Sequence, residues 1–360
     1  MPLWARKTLV AAAVVAGLAL WLGGAFPQVR AADGFAAEVE RLSEPGGSFD
    51  TDNLISNERS YLDVVPALIS RGATGGAYIG VGPDQNFSYI ARVRPSVAFI
   101  IDVRRDNMLL HLLFKALFAN APTRIEYLCL LTGRAPPADI ARWTTAPLKT
   151  IIAYVDSKPP VADAPKLRRR LEETMHGFGV PLTRGDLDAI DRFHQAFIDA
   201  GLGLQFHSFN RGPQPYYPNL RELLLATDAS GRAWNYLNAD DDFQFLRALE
   251  ARDGVIPVVG DVAGPHAMRA IAAAIGERGE RVSAFYISNV ENYLFRDGLF
   301  PRYADNVARL PRGGHSLVIR SIFSGGGESI SRVQPLEQMV ADISRGAYRS
   351  YSDLLRASLP

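Results

Sequence analysis

Hydrophobic and polar positions between residues 77 and 102 predict a strand, a helix and a second strand. AYIGV is a short apolar run, PDQNFSYIARV places Phe87, Ile90 and Ala91 on one helical face, and VAFIID is continuously apolar. A strand, a helix and a strand in so short a segment make a parallel crossover unit. The chain is therefore expected to contain a parallel sheet.

The same alternation returns in the C-terminal half of the chain. VIPVVGD predicts a third strand, AGPHAMRAIAAAIGERG a helix, RVSAFYISNV a fourth strand and SLVIRSIF a late strand. Residues 107–204, in contrast, are mostly helical in pattern. The predicted fold class is α/β: a doubly wound, Rossmann-like, mostly parallel sheet, with a helical insertion at about residues 107–204 after the second strand.

The first residues of the chain have the pattern of an export signal. Arg6 and Lys7 precede an apolar run from Thr8 to Phe26, and small residues follow around Ala31. Residues 1–32 are expected to be a signal peptide or, if uncleaved, a membrane anchor. Because the basic residues stay on the cytoplasmic side, the body of the protein is expected outside the cytoplasm: in the periplasm, at the cell surface or secreted.

The rest of the chain divides into three predicted parts. Residues 33–55 form an N-terminal lead-in, residues 56–345 the α/β domain, and residues 346–360 a C-terminal tail. The lead-in contains a short helical pattern followed by the loop-like EPGGSFD.

Composition and charge narrow the possible partners. With 39 basic and 38 acidic residues, the net charge of +1 gives no global field that attracts nucleic acid. Cys129 is the only cysteine, so no intramolecular disulfide is possible, and its apolar surroundings predict a buried, inert thiol. The expected partner is a small molecule or a surface ligand, with membrane contact only through an uncleaved N-terminal segment.

Several chemistries lack their sequence motifs. The chain contains no H-E-x-x-H, no G-x-x-x-x-G-K-[ST] and no G-x-S-x-G, and its six histidines are scattered singly. No metal site is therefore predicted. His111 lies on the apolar face of HLLFKALF and is expected to be a packed core histidine.

The candidate site lies where the predicted strands end, because ligands of open α/β sheets bind beyond the carboxyl ends of the strands. The first strand ends in Gly80 and Gly82, whose missing side chains let the backbone approach a ligand. Asp102 ends the second strand, about 20 residues beyond Gly80, a spacing at which a carboxylate meets ribose hydroxyls. Asp102 has an alternative role as the ion-pair partner of Arg104 or Arg105.

Polar residues also follow the third and fourth strands. Asp261 is either a ligand contact or a turn residue before Gly264. The fourth strand is followed by three polar residues that the core does not require: Ser288, Asn289 and Glu291. At the start of the first helix, Asp84 and Asn86 either cap the helix or bind a ligand.

The order of these elements, with these residues at the strand ends, resembles that of a class I S-adenosylmethionine-dependent methyltransferase. The chain is also similar to a bacterial family with that fold, of unassigned activity, which includes a leptospiral surface protein. The likeness covers most of residues 50–335, through VGPDQNFSYIA, AFIIDVRRDNMLLHLLFKALF, VIPVVGDVAGP and SAFYISNVENYLF. Two positions differ from the methyltransferase pattern, which has an acid at the position of Tyr78 and a third glycine at that of Asp84.

The resemblance implies S-adenosylmethionine as the cofactor and gives roles to the strand-end residues. Gly80 and Gly82 would pass under the methionine part, Asp102 would hold the ribose and Asp261 would face the adenine. Ser288 and Asn289 would lie beside the methyl donor.

Three functional hypotheses follow. The first is methyl transfer to an unknown acceptor, which Asn289 and Glu291 would orient or deprotonate. The second is a non-catalytic extracytoplasmic binding or surface-interaction protein that reuses the fold, as the changed residues Tyr78 and Asp84 favour. The third, an exported hydrolase, depends on unpaired carboxylates at Asp102, Asp261 and Glu291. An aromatic loop around Tyr216 either forms a recognition surface or is pinned by its own rings.

Overall fold

The structure, a computed structural model, describes residues 33–209, 212, 214–323 and 328–358. The predicted signal peptide or anchor, residues 1–32, lies outside these residues. None of the helices that the structure does describe is both long and apolar enough to span a bilayer.

A six-stranded, mostly parallel sheet forms the centre of the molecule. The strand order is β3-β2-β1-β4-β5-β6; neighbouring strands are parallel from β3 to β5, and β6 is antiparallel to β5. The strands are β1 Ala77–Gly80, β2 Val97–Asp102, β3 Val255–Val259, β4 Val282–Ser288, β5 Leu317–Phe323 and β6 Ser329–Pro335. Strands β1 to β4 are buried along almost their whole length, as parallel strands covered on both faces are. The prediction of a mixed α/β fold with a mostly parallel sheet is confirmed.

The described helices lie before, between and after the strands. In the first half they are α1 Asp33–Leu42, α2 Val65–Ser70, α3 Gln85–Val93, α4 Arg105–Asn120, α5 Arg124–Leu131, α6 Leu148–Asp156, α7 Ala164–His176 and α8 Arg184–Ala200. In the second half they are α9 Leu220–Leu224, α10 Asp240–Ala251, α11 Ala267–Glu277, α12 Val290–Arg296, α13 Phe300–Ala308, α14 Leu336–Ser344 and α15 Tyr351–Ala357. Short 3₁₀ turns occur at Ala141–Trp143 and Gly201–Gly203.

Helix α4 belongs to the sheet layer and not to the insertion. It packs on β2 and β3 on one side and against α7 and α8 on the other. Its side chains are buried almost all round, which is why its sequence shows little amphipathic periodicity. The extra helical layer therefore begins after α4, later than the predicted boundary at residue 107.

The C-terminal prediction is corrected in two ways. Strand β6 was not predicted, and it forms a hairpin with β5. The predicted tail at residues 346–360 contains α15, whose Leu354 is fully buried. Arg320 of β5 donates a hydrogen bond to Ser358 Oγ at 3.2 Å, so the end of the described chain is tied to the sheet.

The lead-in is also an integral part of the fold. Helix α1 packs against β3 and α11. Residues 43–53, here called the strap, then cross the carboxyl ends of β2 and β3. Glu44 N donates to Val259 O at 2.9 Å, and Gly47 N donates to Val103 O at 2.7 Å. The strap thereby becomes one wall of the space beyond the strand ends.

Two predictions about single residues are confirmed. Cys129 is buried, and burial raises the pKa of its thiol to about 12, which keeps it protonated and inert. His111 packs edge-on against Phe87 and Phe114, with ring centroids 5.7 and 5.6 Å away, and its Nε2 lies 2.9 Å from Gly82 O. Burial lowers the pKa of His111 to about 4, so the ring is neutral and donates through Nε2.

Candidate functional site

A cleft of about 290 Å³ opens at the carboxyl ends of β1 to β4. Its volume is near the lower end of the range of roughly 300–1,000 Å³ for small-molecule sites. The walls come from the strap, from the loops after the four strands and from the first turns of α12. The lining residues that matter below are Phe49, Glu58, Gly82, Gln85, Asp102, Asp261, Tyr286, Ser288, Asn289 and Tyr293.

The structure brings most of the predicted site residues into this one cleft. Those that line it are Gly82, Asp102, Asp261, Ser288 and Asn289. Gly80 and Glu291 are not among the lining residues. The convergence of four strand ends, distant in sequence, is what the parallel topology dictates.

Gly82 occupies the turn after β1 for a conformational reason. Its φ of +82° is one that side-chain-bearing residues rarely adopt. A Cβ atom built there would meet nothing closer than Gln85 Nε2, at 3.7 Å. The backbone of this turn is therefore open toward the cleft.

Gly80 has a different role from the predicted one. A Cβ atom at residue 80 would lie 1.9 Å from Asn86 Oδ1 and 2.8 Å from the Tyr78 hydroxyl. Tyr78 donates to Asn86 Oδ1 at 2.7 Å, so the missing side chain makes room for this internal hydrogen bond. Asn86 Nδ2 in turn donates to the carbonyls of Val81 and Pro83 at 2.9 and 2.7 Å. Asn86 therefore does not cap the helix, as one prediction had it; its side chain is engaged in these internal hydrogen bonds. Gly80 makes room for them and is not among the lining residues.

Asp102 lines the cleft but is already paired. Its Oδ1 accepts from the backbone N and the Nε of Arg104 at 2.9 and 3.0 Å, and its Oδ2 accepts from Arg104 Nη2 at 2.8 Å. Arg104 Nη1 also donates to the carbonyls of Thr51 and Asp52 in the strap. The ion pair with Arg104 is the alternative that the sequence left open, and it ties the end of β2 to the strap.

Asp261 lines the cleft and is also the turn residue that the sequence offered as one of its two roles. Its Oδ1 accepts from Ala263 N at 2.8 Å, which closes the turn after β3. Its backbone N donates to Glu44 Oε1 at 2.9 Å, and Glu44 Oε2 accepts from His266 N at the start of α11. The carboxylate of Glu44, from the strap, therefore caps a helix that lies far away in sequence.

Ser288 ends β4 with an unusual backbone. Its φ is +55°, in the left-handed region, and the pairing register with β5 shifts between Tyr286 and Ser288. Such strain in a residue that carries a side chain is often held at functional sites. Asn289 follows it at the start of α12 and lines the cleft; its side chain does not cap the helix, and its Oδ1 lies 3.4 Å from Ser288 Oγ.

A buried carboxylate, Glu58, lies among the lining residues and was not predicted from the sequence. Its Oε1 accepts from the hydroxyl of Tyr286 at 2.7 Å and from Ser288 Oγ, and its Oε2 accepts from Ser321 Oγ. Gln85 Nε2 donates to the Tyr286 hydroxyl at 2.9 Å. We call these residues, Glu58, Gln85, Tyr286, Ser288 and Ser321, the Glu58 group. Burial raises the pKa of Glu58, and the three hydroxyl donors lower it in part.

Glu291 lies away from the cleft, which corrects its predicted catalytic role. It is buried and forms an ion pair with Arg320, and its Oε1 accepts from the Tyr303 hydroxyl at 3.0 Å. A carboxylate held by a buried guanidinium and a tyrosine has no face toward a substrate. Glu291 is therefore a structural residue that joins α12 to β5 and α13.

Two further groups lie outside the cleft or on its rim. Asp84 is buried and is not among the lining residues; it accepts from the Tyr236 hydroxyl at 3.3 Å. Tyr216 does not line the cleft, and its ring packs on Tyr217 at 4.9 Å, so this part of the aromatic loop leaves the cleft open. The rim is formed instead by Phe49 and Tyr293, whose rings meet edge to face at 5.2 Å.

Comparison with known proteins identifies the family of this chain. Residues 54–143 and 205–350 match the family described as "Domain of unknown function (DUF7790)". The match covers every strand of the sheet and all the cleft residues except those of the strap before residue 54. It is interrupted over residues 144–204, which contain α6, α7 and α8. No curated protein matches the chain. The chain belongs to the DUF7790 family.

Proposed function

We propose that the fold is Rossmann-like, of the class I methyltransferase type, and that the cleft binds S-adenosylmethionine for methyl transfer to an acceptor. One observation carries the proposal: Gly82, Asp102, Asp261 and Ser288, from four different strand ends, line one cleft. The strand order β3-β2-β1-β4-β5-β6 supports it, because a doubly wound sheet binds nucleotides where its strand order reverses, here between β1 and β4.

The cleft residues fit an adenosyl ligand. Asp102 Oδ2 accepts a single hydrogen bond, from Arg104, and so keeps a lone pair for a ribose hydroxyl. Asp261 uses Oδ1 in its turn, while Oδ2 has no hydrogen bond to any described residue. Gly82 leaves the backbone of the β1 turn accessible. Gln85 also lines the cleft, and its buried Oε1 has no hydrogen-bond partner among the described residues.

The chemistry would be divided between cofactor and protein. When bound, S-adenosylmethionine supplies a methyl group on a positively charged sulfur. The protein supplies position: the strained turn at Ser288 and the amide of Asn289 orient an acceptor, and the Phe49–Tyr293 rim limits the access of water. Because Glu291 is committed to Arg320, it takes no part in orienting or deprotonating the acceptor.

The test is calorimetric titration of S-adenosylmethionine and S-adenosylhomocysteine into the purified full chain. Asp261→Ala is the informative variant, because Asp102→Ala would also release Arg104 and the strap. We expect the variant to bind at least about 10-fold more weakly, which corresponds to about 1.4 kcal/mol. Asp305→Ala, an exposed position on α13, is the matched control and should bind like the wild type. No heat with either ligand at millimolar concentration would refute the proposal.

A second candidate function is ligand binding without transfer, outside the cytoplasm. Two observations favour it: Arg104 already engages both carboxylate oxygens of Asp102, and Asn86 fills the space beside Gly80. The extracytoplasmic location expected from residues 1–32 also separates the protein from the cytoplasmic supply of the cofactor. Methyl-labelled S-adenosylmethionine, incubated with the protein and a cell-envelope extract, distinguishes the two. Binding without label transfer would favour this second function.

A further inference from the structure

Glu58 is a buried carboxylate without a cationic partner among the described residues. Its side chain is 1% exposed, and all three of its hydrogen-bond donors are neutral hydroxyls, those of Tyr286, Ser288 and Ser321. No lysine, arginine or histidine in the described part of the chain forms an ion pair with it. Buried carboxylates are normally paired with a cation or neutralised by a proton.

The hydrogen bonds of the Glu58 group leave a second acceptor, Gln85 Oε1, without a hydrogen bond from the described residues. The Tyr286 hydroxyl has one proton and donates it to Glu58, so it must accept from Gln85 Nε2. This fixes the orientation of the Gln85 amide. Its Oε1 is buried, has no hydrogen-bond partner among the described residues and belongs to a side chain that lines the cleft. A buried acceptor without a hydrogen bond destabilises the protein unless a ligand donates to it.

The space in front of these two acceptors is mostly apolar. It is bounded by the rings of Phe49 and Tyr293 at the rim and by Val290 and Leu294 of α12. A ligand that fits therefore needs two parts. One part is a group that has several hydrogen-bond donors and no acceptor, and the other is a compact organic part. An ammonium group has three donors and no acceptor, and it also supplies the missing positive charge.

We propose that the Glu58 group binds the ammonium group of a primary amine ligand, with Glu58 and Gln85 Oε1 as its acceptors. The site lies in the same cleft as the proposed cofactor site. The inference goes beyond the proposed function, because it holds whether the amine is a methyl acceptor or a ligand that is only bound.

The experiment compares two probes of equal size in the absence of cofactor: 2-phenylethylamine, a cation at pH 7, and 2-phenylethanol, which is neutral. Dissociation constants are measured by ligand-observed NMR titration with the full chain. We expect the amine to bind at least about 10-fold more tightly than the alcohol. In Glu58→Gln this preference should disappear, and in Gln85→Leu it should fall while alcohol binding stays the same. The charge control is Asp305→Asn on the surface of α13, which should keep the preference.

Each outcome bears on the proposal. Glu58→Gln keeps the shape of the group, because serine hydroxyls can accept from an amide as well as donate to it, and circular dichroism checks its fold. If Glu58→Gln fails to fold, the proposal is tested by whether Gln85→Leu reduces the preference for the amine over the alcohol. Equal affinity for the two probes in the wild type, no binding of either, or an unchanged preference in both variants would overturn the proposal. S-adenosylmethionine itself carries an ammonium group, so the two proposals are separated by their variants. Asp261→Ala tests the cofactor site, and the preference for the amine in Glu58→Gln and Gln85→Leu tests this one.

Discussion

At the scale of single residues, burial sets the protonation of Asp84 at the start of α3. The side chain is buried and pairs with no cation of the described residues, and desolvation raises its pKa from 3.8 to about 6. Because the folded pKa lies above the unfolded one, Asp84 stabilises the fold fully below about pH 4. That contribution is lost as the pH rises through about 6.

We therefore expect Asp84→Asn to stabilise the protein at neutral pH. The neutral amide avoids burying a charge, and the Tyr236 hydroxyl can reverse its role and accept from it. The gain in the free energy of unfolding should be absent near pH 4 and reach about 3 kcal/mol above pH 7. Urea unfolding between pH 4 and 8 measures it, with Asp305→Asn as the exposed control. Parallel pH curves for wild type and Asp84→Asn would contradict the assignment.

Single residues also mark the limit of what the sequence predicts. The Gly-x-Gly pattern correctly locates the β1 turn, but it cannot reveal that Gly80 accommodates Asn86 while Gly82 opens toward the cleft. Glu58 escapes prediction because its partners Tyr286 and Ser321 are more than two hundred residues away. A polar residue followed closely by the buried Tyr61 and Leu62 was its one weak signal.

At the scale of elements, the buried parallel strands were predictable, and the C-terminal strand β6 and helix α15 were not. β1 to β4 are largely apolar and β5 begins with the apolar LVI, which the sequence displays directly. β6 has Ile330 half exposed and carries Arg332 and Gln334, so its pattern is too polar to indicate a strand. The order of strands and the position of the strap depend on long-range contacts that hydrophobic periodicity does not encode.

The cap of α11 gives a prediction at this scale. Glu44 accepts from the backbone N of both Asp261 and His266, and its charge faces the positive end of the helix. Glu44→Gln should lower the free energy of unfolding by about 1–2 kcal/mol, because the charge and one acceptor are lost. It should also speed amide hydrogen exchange in the first turn of α11.

The control for this change is Glu40→Gln, an exposed glutamate in the adjoining α1. It alters the same net charge without touching the helix end, so its stability should match that of the wild type. Equal stability of the two variants would mean that the cap contributes nothing to α11.

At the scale of the whole molecule, the segment missing from the family match still covers the core. α7 and α8 pack on α4, where the rings of Phe114 and Phe197 lie 6.4 Å apart. Removing residues 144–204 would expose this side of α4. Each large apolar side chain uncovered costs about 1.5–3 kcal/mol, so a few of them equal the usual total stability of roughly 5–15 kcal/mol.

We therefore expect a variant that lacks residues 144–204 to lose its cooperative thermal unfolding transition. Differential scanning calorimetry and near-ultraviolet circular dichroism measure this. Phe197→Ala serves as the milder comparison: it should unfold cooperatively but be about 3–5 kcal/mol less stable than wild type. A cooperative transition at the wild-type temperature in the shortened chain would show that the segment is an independent addition.

The contact between Glu44 and the start of α11 also constrains the order in which the protein is completed. The carboxylate and the amides that it holds are 217 and 222 residues apart in the chain. At a synthesis rate of about 5–20 residues per second, Asp261 and His266 are added to the chain roughly 10–45 s after Glu44. Throughout that interval the strap lacks the helix end on which it docks, so this wall of the cleft can form only late, after most of the chain has been made.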